Sequence, residues 1–195
     1  MLDEKTIAGL KKKAESYIKE GMIAKTRESR FVGFFLENSK NSLETVKLLM
    51  NVSSSTDSKQ KLGLPESYSG FLWVINASYY SMFYMARALL ESDGIKIKSE
   101  ASVHSATLAA FIYYFFLTGK LEKKLVEDLA DAEEEAFDIL GKDRAKGLIE
   151  DYMHEKKKRG IFTYELGAVA MQNKAETSLS RAKKFCEEIR KALAV

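Results

Sequence analysis

One stretch of the chain, residues 71–90, is apolar almost without interruption. Its sequence is FLWVINASYYSMFYMARALL, and only Asn76, Ser78, Ser81 and Arg87 interrupt the apolar pattern. Because no glycine or proline falls inside it, the stretch predicts a helix of about 30 Å at 1.5 Å per residue. A helix that is apolar nearly all round is either the central member of a bundle or a membrane span.

Two uncharged stretches, 67–86 and 101–119, approach the ~20 residues that a membrane span requires. The first contains Asn76 with several serines and tyrosines, and the second contains His104, all of which hydrocarbon would penalise. The segment between them carries charges of both signs and shows no positive-inside bias. The sequence therefore favours buried bundle helices, with a membrane hairpin as the alternative.

Amphipathic segments flank the central helix, with apolar residues recurring every three or four positions. Strand signals are absent. Polar residues fill 51–64, which predicts an exposed, mobile loop. Residues 161–171 are non-periodic, and Asn173 with Glu176 resembles a capping arrangement that begins the last helix.

The other predicted helices span 3–25, 28–50, 103–117 and 121–159. The predicted fold is an all-α, up-and-down bundle of five to six helices in one domain, 1–195, with residues 1–27 as an extra N-terminal helix.

Composition agrees with a soluble, helical, single-domain protein. The 195 residues are 46% hydrophobic and 30% charged, with a single proline. Cys186 is the only cysteine, so it cannot form an internal disulfide, and the N-terminus lacks the apolar core of a signal peptide. We therefore expect a cytoplasmic protein that does not enter the membrane.

The net charge of +3 is too small to indicate nucleic acid by itself. Acidic residues nevertheless cluster in 127–138, and a basic run is formed by Lys156, Lys157, Lys158 and Arg159. Each block is typical of a solvated helix face.

Most enzyme signatures are missing from the sequence. There is no Gly-rich phosphate loop, HExxH, paired CxxC or GxSxG, and two histidines cannot supply the ligands of a di-iron bundle. We therefore expect no metal and no cofactor. The remaining candidates are polar groups in or beside apolar helices: Asn76, Tyr79, Tyr80, Arg87, His104, His154, Arg159 and Tyr164. Asn76, Tyr80, Phe83 and Arg87 are spaced to share one helix face.

The segment 77–90, ASYYSMFYMARALL, resembles the signature helix of the HEPN domains, roughly A-x-Y-Y-A-x-F-x-x-A-R-x-L-L. His104 matches the histidine that opens the family's next helix. Arg159 and Tyr164 match the ends of its R-x-x-A-D-Y segment, although Phe162-Thr163 replaces Ala-Asp. The resemblance covers about 31–193. It implies a helical bundle that commonly dimerises and acts on nucleotides or RNA.

Two branches of that family imply different mechanisms. Toxin-like members are metal-independent ribonucleases with R-x4-6-H, in which Arg holds the phosphate and His moves a proton. Here the position five after Arg159 is Tyr164, and a group with an ordinary pKa near 10 is a poor general base. His154 lies five residues before Arg159, in the reverse order.

The other branch pairs with a small nucleotidyltransferase in a toxin–antitoxin-like arrangement, and the R-x4-Y ending fits it better. The resemblance then implies a nucleotide- or RNA-phosphate-binding partner, a homodimer, and a Tyr164 hydroxyl able to accept a nucleotidyl group. The alternatives are a ribonuclease and a non-catalytic helical adaptor, because a fold alone does not decide function. The candidate catalytic residues are Arg159, Tyr164 and His154. The candidate nucleotide- or RNA-binding residues are Arg159, Tyr164, Lys156, Lys157, Lys158, Tyr80, Arg87 and His104.

Overall fold

The computed structural model describes residues 3–98, 103–153 and 161–193, with the side chains of 140–170 outside the description. The described residues form a bundle of seven α-helices, which confirms the all-α class. The elements are α1 (Glu4–Lys19), β1 (Ile23–Lys25), α2 (Val32–Ser54), α3 (Thr56–Lys61), α4 (Phe71–Ser92), β2 (Ile95–Ile97), α5 (Val103–Phe111), a π-helical segment (Ile112–Phe116), α6 (Lys123–Met153) and α7 (Ile161–Leu193).

The apolar stretch forms α4, and most of its 22 residues are buried. Helices α2, α5, α6 and α7 and strand β2 all pack against it. The main core surrounds its C-terminal half and includes Met82, Ala86 and Leu90, which are fully buried. A smaller core around Val46, Val74 and Ile75 surrounds its N-terminal half. The prediction of a central bundle helix is therefore confirmed, and none of the described helices is long and apolar enough to cross a bilayer.

Two short strands, which the sequence did not indicate, pair in an antiparallel ribbon. Ile23 lies opposite Ile97, and Lys25 lies opposite Ile95. All three isoleucines are buried in the main core, which accounts for strands of only three residues. Gly21 and Gly94 precede the strands with positive φ angles of 72° and 74°. The ribbon ties the end of α1 to the end of α4.

Several element boundaries differ from the sequence prediction. The polar segment 51–64 was expected to be a loop, but α2 continues through Ser54 and α3 follows at once. The Ser55 side chain caps α3 by accepting a hydrogen bond of 3.2 Å from the Ser58 N–H. The first helix ends at Lys19, where Gly21 follows, and the last helix begins at Ile161, twelve residues before Asn173.

Candidate functional site

A string of aromatic rings crosses the bundle surface from α2, over α4, to α5 and α6. The ring centroids are 5.4 Å apart for Phe34–Phe35, 6.5 Å for Phe35–Tyr84, 6.1 Å for Tyr84–Tyr80, 5.8 Å for Tyr80–His104 and 5.6 Å for His104–Phe137. These separations lie in the range of favourable ring pairs. We call these residues the aromatic face: Phe34, Phe35, Tyr80, Tyr84, His104 and Phe137.

Three members of the aromatic face are open to solvent. Phe34 is 57% exposed, Phe137 48% and Tyr80 38%. Single exposed apolar side chains are ordinary, but rings in mutual contact form a patch of the kind that binds a ligand or partner. The aromatic face is therefore the strongest candidate site among the described residues.

His104 lies in the first turn of α5 and is half-buried. Its Nδ1 is 2.7 Å from the Tyr79 hydroxyl, and its ring centroid is 4.5 Å from that of Phe83. Burial lowers the pKa of His104 below its usual 6.5, and the charge of Arg87 lowers it further. The imidazole is therefore neutral at neutral pH, and a further hydrogen bond to this ring would have to use Nε2.

Tyr79 holds His104 from the buried side. Burial raises the pKa of the Tyr79 hydroxyl, and the nearby Glu133 carboxylate raises it further. The hydroxyl therefore keeps its proton and acts as a hydrogen-bonding group that orients the imidazole. It is not an activated nucleophile.

Arg87 supports the other end of the aromatic face. Its guanidinium carbon lies 4.8 Å from the Phe35 ring centroid, and Nη2 donates to the Ile97 carbonyl over 3.4 Å. Desolvation lowers the pKa of this half-buried group, and Glu91 opposes the shift. An arginine remains charged at neutral pH even so. The site thus has a fixed positive charge beside its rings.

Glu133 lies next to Phe137, in the wall of a pocket of about 440 Å³ between α1, α5 and α6. Burial raises the pKa of its carboxyl from 4.5 to about 7, and Lys13 acts weakly in the other direction. The carboxyl is therefore partly protonated at neutral pH.

The structure brings together three of the predicted binding residues, Tyr80, Arg87 and His104. The helix face expected to join them to Asn76 and Phe83 is divided, because Asn76 and Phe83 are buried. Asn76 Nδ2 donates to the Leu72 carbonyl over 3.0 Å, and its buried Oδ1 has no hydrogen-bond partner among the described residues. The other candidates, His154, Lys156, Lys157, Lys158 and Arg159, lie outside the described residues. Tyr164 lies in the first turn of α7, and its side chain is outside the description.

The sequence analysis missed Phe34, Phe35, Tyr84 and Phe137. Helical periodicity could have identified Tyr84, because it lies four residues after Tyr80 on the same helix face. The three phenylalanines join the site only through helix packing, which a single sequence does not encode as a local pattern.

Within the described ranges no group of three or more His, Cys, Asp or Glu side chains is arranged to hold a metal ion. Comparison of the chain with protein-family models, with curated proteins and with solved structures gives no match.

Proposed function

We propose that the protein binds nucleotide or RNA phosphate, as a HEPN-type partner of a small nucleotidyltransferase in a toxin–antitoxin-like pair. The observation that carries the proposal is the aromatic face, in which open rings are continuous with Phe35, beside the fixed charge of Arg87, and with the neutral imidazole of His104. The resemblance of 77–90 to the HEPN signature helix supports the assignment to that family.

Base stacking is the interaction that the aromatic face offers. An unpaired base stacked on an aromatic side chain contributes about 1–3 kcal/mol, whatever its identity. Tyr80 lies at the centre of the face, between Tyr84 and His104, and is open to solvent. In this proposal Tyr80 and Phe137 stack bases.

The phosphate contacts are assigned to the basic run Lys156–Arg159. A guanidinium can grip a phosphate with two parallel hydrogen bonds, which a lysine cannot do, so Arg159 is the leading phosphate ligand. Arg87 is held by Phe35 and Ile97, and its role is to supply positive potential near the bases.

Binding of a fluorescent single-stranded RNA oligonucleotide, followed by anisotropy, tests the stacking role. Tyr80→Ala should weaken binding by the loss of one stack, about 1–3 kcal/mol, and Tyr80→Phe should bind nearly as well as the native protein. Tyr113→Ala is the matched control, because the Tyr113 ring contacts only Tyr114 among the ring pairs of the described residues. Equal losses for Tyr80→Ala and Tyr113→Ala would count against the aromatic face.

The phosphate role is tested with the same oligonucleotide. Arg159→Ala should weaken binding by about 1.5–3 kcal/mol, the contribution of a charge-assisted hydrogen bond. Binding by the native protein should weaken as salt is added. If neither added salt nor Arg159→Ala changes the affinity for the oligonucleotide, the proposed phosphate contacts are wrong.

Two assays separate this proposal from its alternatives. Co-expression with a small nucleotidyltransferase of the kind that pairs with HEPN domains should yield a complex, and any nucleotidylation should disappear in Tyr164→Phe. Cleavage of RNA in the presence of a chelator, stopped by His154→Ala, would instead establish a ribonuclease. If the protein neither cleaves RNA nor binds nucleotide, and Arg159→Ala changes only stability, Arg159 is a structural residue and the adaptor alternative stands.

We also propose that the chain forms a homodimer. Many of the aromatic side chains of α4 and α5 are buried within one chain. Among the described residues outside the aromatic face, the exposed Phe31 and Trp73 remain available to a second copy. Light scattering at micromolar concentration should give about twice the 22.0 kDa chain mass. A mass equal to one chain would exclude self-association and leave a hetero-complex with the nucleotidyltransferase.

A further inference from the structure

A second site lies on another part of the bundle, in an open groove between α2 and α7. The groove has a volume of about 580 Å³ and shares no residue with the aromatic face. Its lining consists of Leu43, Lys47, Lys183, Cys186, Glu187, Arg190 and Lys191. A volume of this size is typical of pockets for small molecules.

The charges around the groove are unbalanced, with four cationic side chains and one carboxylate, Glu187. Lys47 and Lys191 form ion pairs with Glu44 and Glu188, at 2.8 Å and 2.7 Å. No ion pair is formed by Lys183 or Arg190 in the ranges that the structure describes. These two cations therefore remain available to an anionic ligand.

The floor of the groove is less polar than its rim. Leu43 and the Cys186 thiol line the pocket, and Cys186 is 2% exposed. Arg190 is near enough to the thiol to act on it electrostatically. Arg190 lines the same groove and its side chain is exposed.

The spacing of the basic residues on α7 suits a ligand that carries several phosphate groups in a row. Lys183, Arg190 and Lys191 lie at positions i, i+7 and i+8, which covers about 12 Å along the helix. Lysine side chains act as point charges for phosphate, and an arginine adds a planar fork. Several phosphate groups in a row could contact this rim while an apolar part of the same molecule covers Leu43.

We propose that the α2–α7 groove binds a small phosphorylated molecule with an apolar or aromatic portion, of the nucleoside polyphosphate class. The phosphates contact Lys183 and Arg190, and the base covers Leu43. The proposal does not rest on the aromatic face, because the two sites share no residue and each has its own variants.

The test is a titration of the folded protein with ATP, and separately with inorganic triphosphate, followed by amide chemical shifts. Amides of residues 183–191 and of Leu43 and Lys47 should shift and saturate with either probe, with ATP binding more tightly than triphosphate. Arg190→Gln should raise the Kd by about 10-fold, as expected for loss of a charge-assisted hydrogen bond. Glu187→Gln should lower it about 3-fold by removing the carboxylate found among the described lining residues.

Two variants on the same helix control for net charge. Lys184→Gln changes the charge as Arg190→Gln does, and Glu176→Gln as Glu187→Gln does, but neither residue lines the groove. Glu176 lies eleven residues before Glu187, about 16 Å along the helix. Both controls should leave the Kd within about twofold of the native value.

Two results would overturn the proposal. One is a set of shifts that never saturates or that avoids residues 183–191. The other is an equal effect of each groove variant and its control, which would leave Arg190 and Lys191 as ordinary basic residues at a helix C-terminus. Loss of RNA binding in Tyr80→Ala with an unchanged response of the groove to ATP would separate the two sites.

Discussion

At the scale of single residues, the carboxyl group of Glu133 makes the stability of the fold depend on pH. Its pKa of about 7 means that the folded protein holds a proton that the unfolded chain releases near 4.5. Between those pH values the folded state binds more protons, so the free energy of unfolding falls as the pH rises. His104 acts in the opposite direction, because its lowered pKa makes stability fall as the pH drops below 6.5. A variant at Glu133 is needed to separate the two.

We predict that Glu133→Gln leaves stability nearly unchanged at pH 4.5 and raises it at pH 8, by on the order of 2 kcal/mol after allowance for partial exposure. The physical reason is that the amide avoids the cost of a half-buried charge. Urea denaturation at the two pH values measures the difference. Glu134→Gln, at an exposed neighbour, is the control and should show little dependence on pH. If the free energies of unfolding of Glu133→Gln and the native protein differ by the same amount at both pH values, the raised pKa of Glu133 is contradicted.

A second residue-scale prediction concerns the hydrogen bond between Tyr79 and His104. Tyr79→Phe removes the hydroxyl that lies 2.7 Å from Nδ1 and should destabilise the fold by about 1 kcal/mol. The ring packing on Phe83 is kept, so the loss measures the hydrogen bond and the freedom gained by the imidazole. The His104 nitrogen resonances should change as the tautomer is released. Unchanged resonances would show that Tyr79 does not fix the imidazole.

At this scale the sequence indicated some residues of the candidate site and did not indicate the others, for a physical reason. Tyr80 and Arg87 share a helix face with a seven-residue spacing, and the apolar context of His104 singled it out. Phe35 and Phe137 reach Tyr84 and His104 from α2 and α6, which lie far along the chain. Such contacts depend on how helices pack, and local periodicity carries no information about them.

At the scale of elements, Glu91 joins three pieces of the fold. Its carboxylate, 3% exposed, accepts a hydrogen bond of 3.0 Å from the Phe31 N–H at the start of α2. It also pairs with Lys96 of β2. We predict that Glu91→Ala costs about 2–3 kcal/mol, somewhat below the value for a fully buried pair because Lys96 is partly exposed. Urea denaturation measures the cost.

The control for Glu91 is Glu28→Ala. Glu28 pairs with Arg30 at 3.1 Å, but both side chains are more than half exposed, so the loss should stay below about 1 kcal/mol. Comparable costs for the two variants would show that Glu91 does not anchor the ends of α2 and α4.

The turn between α4 and β2 depends on Gly94. Its φ is +74°, and a Cβ would overlap the carbonyl oxygen of Thr26, whose N–H donates to the Gly94 carbonyl over 2.7 Å. Gly63 has a similar φ of +66° with no atom within 4 Å of a Cβ. We predict that Gly63→Ala costs about 1–2 kcal/mol from backbone strain alone, and that Gly94→Ala costs at least 2 kcal/mol more. Thermal denaturation compares them, and equal losses would contradict the close approach to Thr26.

The elements that the sequence predicted correctly are the ones with long, strong periodicity, above all α4. The strands were not predicted because three residues are too few for an alternating pattern, and their stability comes from burying Ile23, Ile95 and Ile97. The helix α3 was not predicted because it buries none of its residues, so only its cap and local propensity identify it.

At the scale of the whole molecule, α4 is the most buried helix, and the helices packed around it are more exposed. That helix contacts four other helices and β2, whereas α3 packs against α2 and contributes no buried residue. Local opening of a segment costs little when few buried contacts are lost, and approaches the global free energy for the central core. The α2–α7 groove and the aromatic face share no residue, so exposed side chains of one can be altered without changing the residues of the other.

We therefore predict a steep gradient of amide hydrogen exchange across the molecule. The amides of Met82, Ala86 and Leu90 should exchange only through global unfolding, with a free energy equal to that from urea denaturation. The amides of α3 should exchange at least 100-fold faster, through local opening that leaves the bundle intact. Mild denaturant should speed exchange in the middle of α4 but hardly change it in α3, because local opening exposes little surface. Protection of α3 equal to that of α4 would show that the chain opens as one cooperative unit, and that α3 is held by contacts beyond its packing on α2.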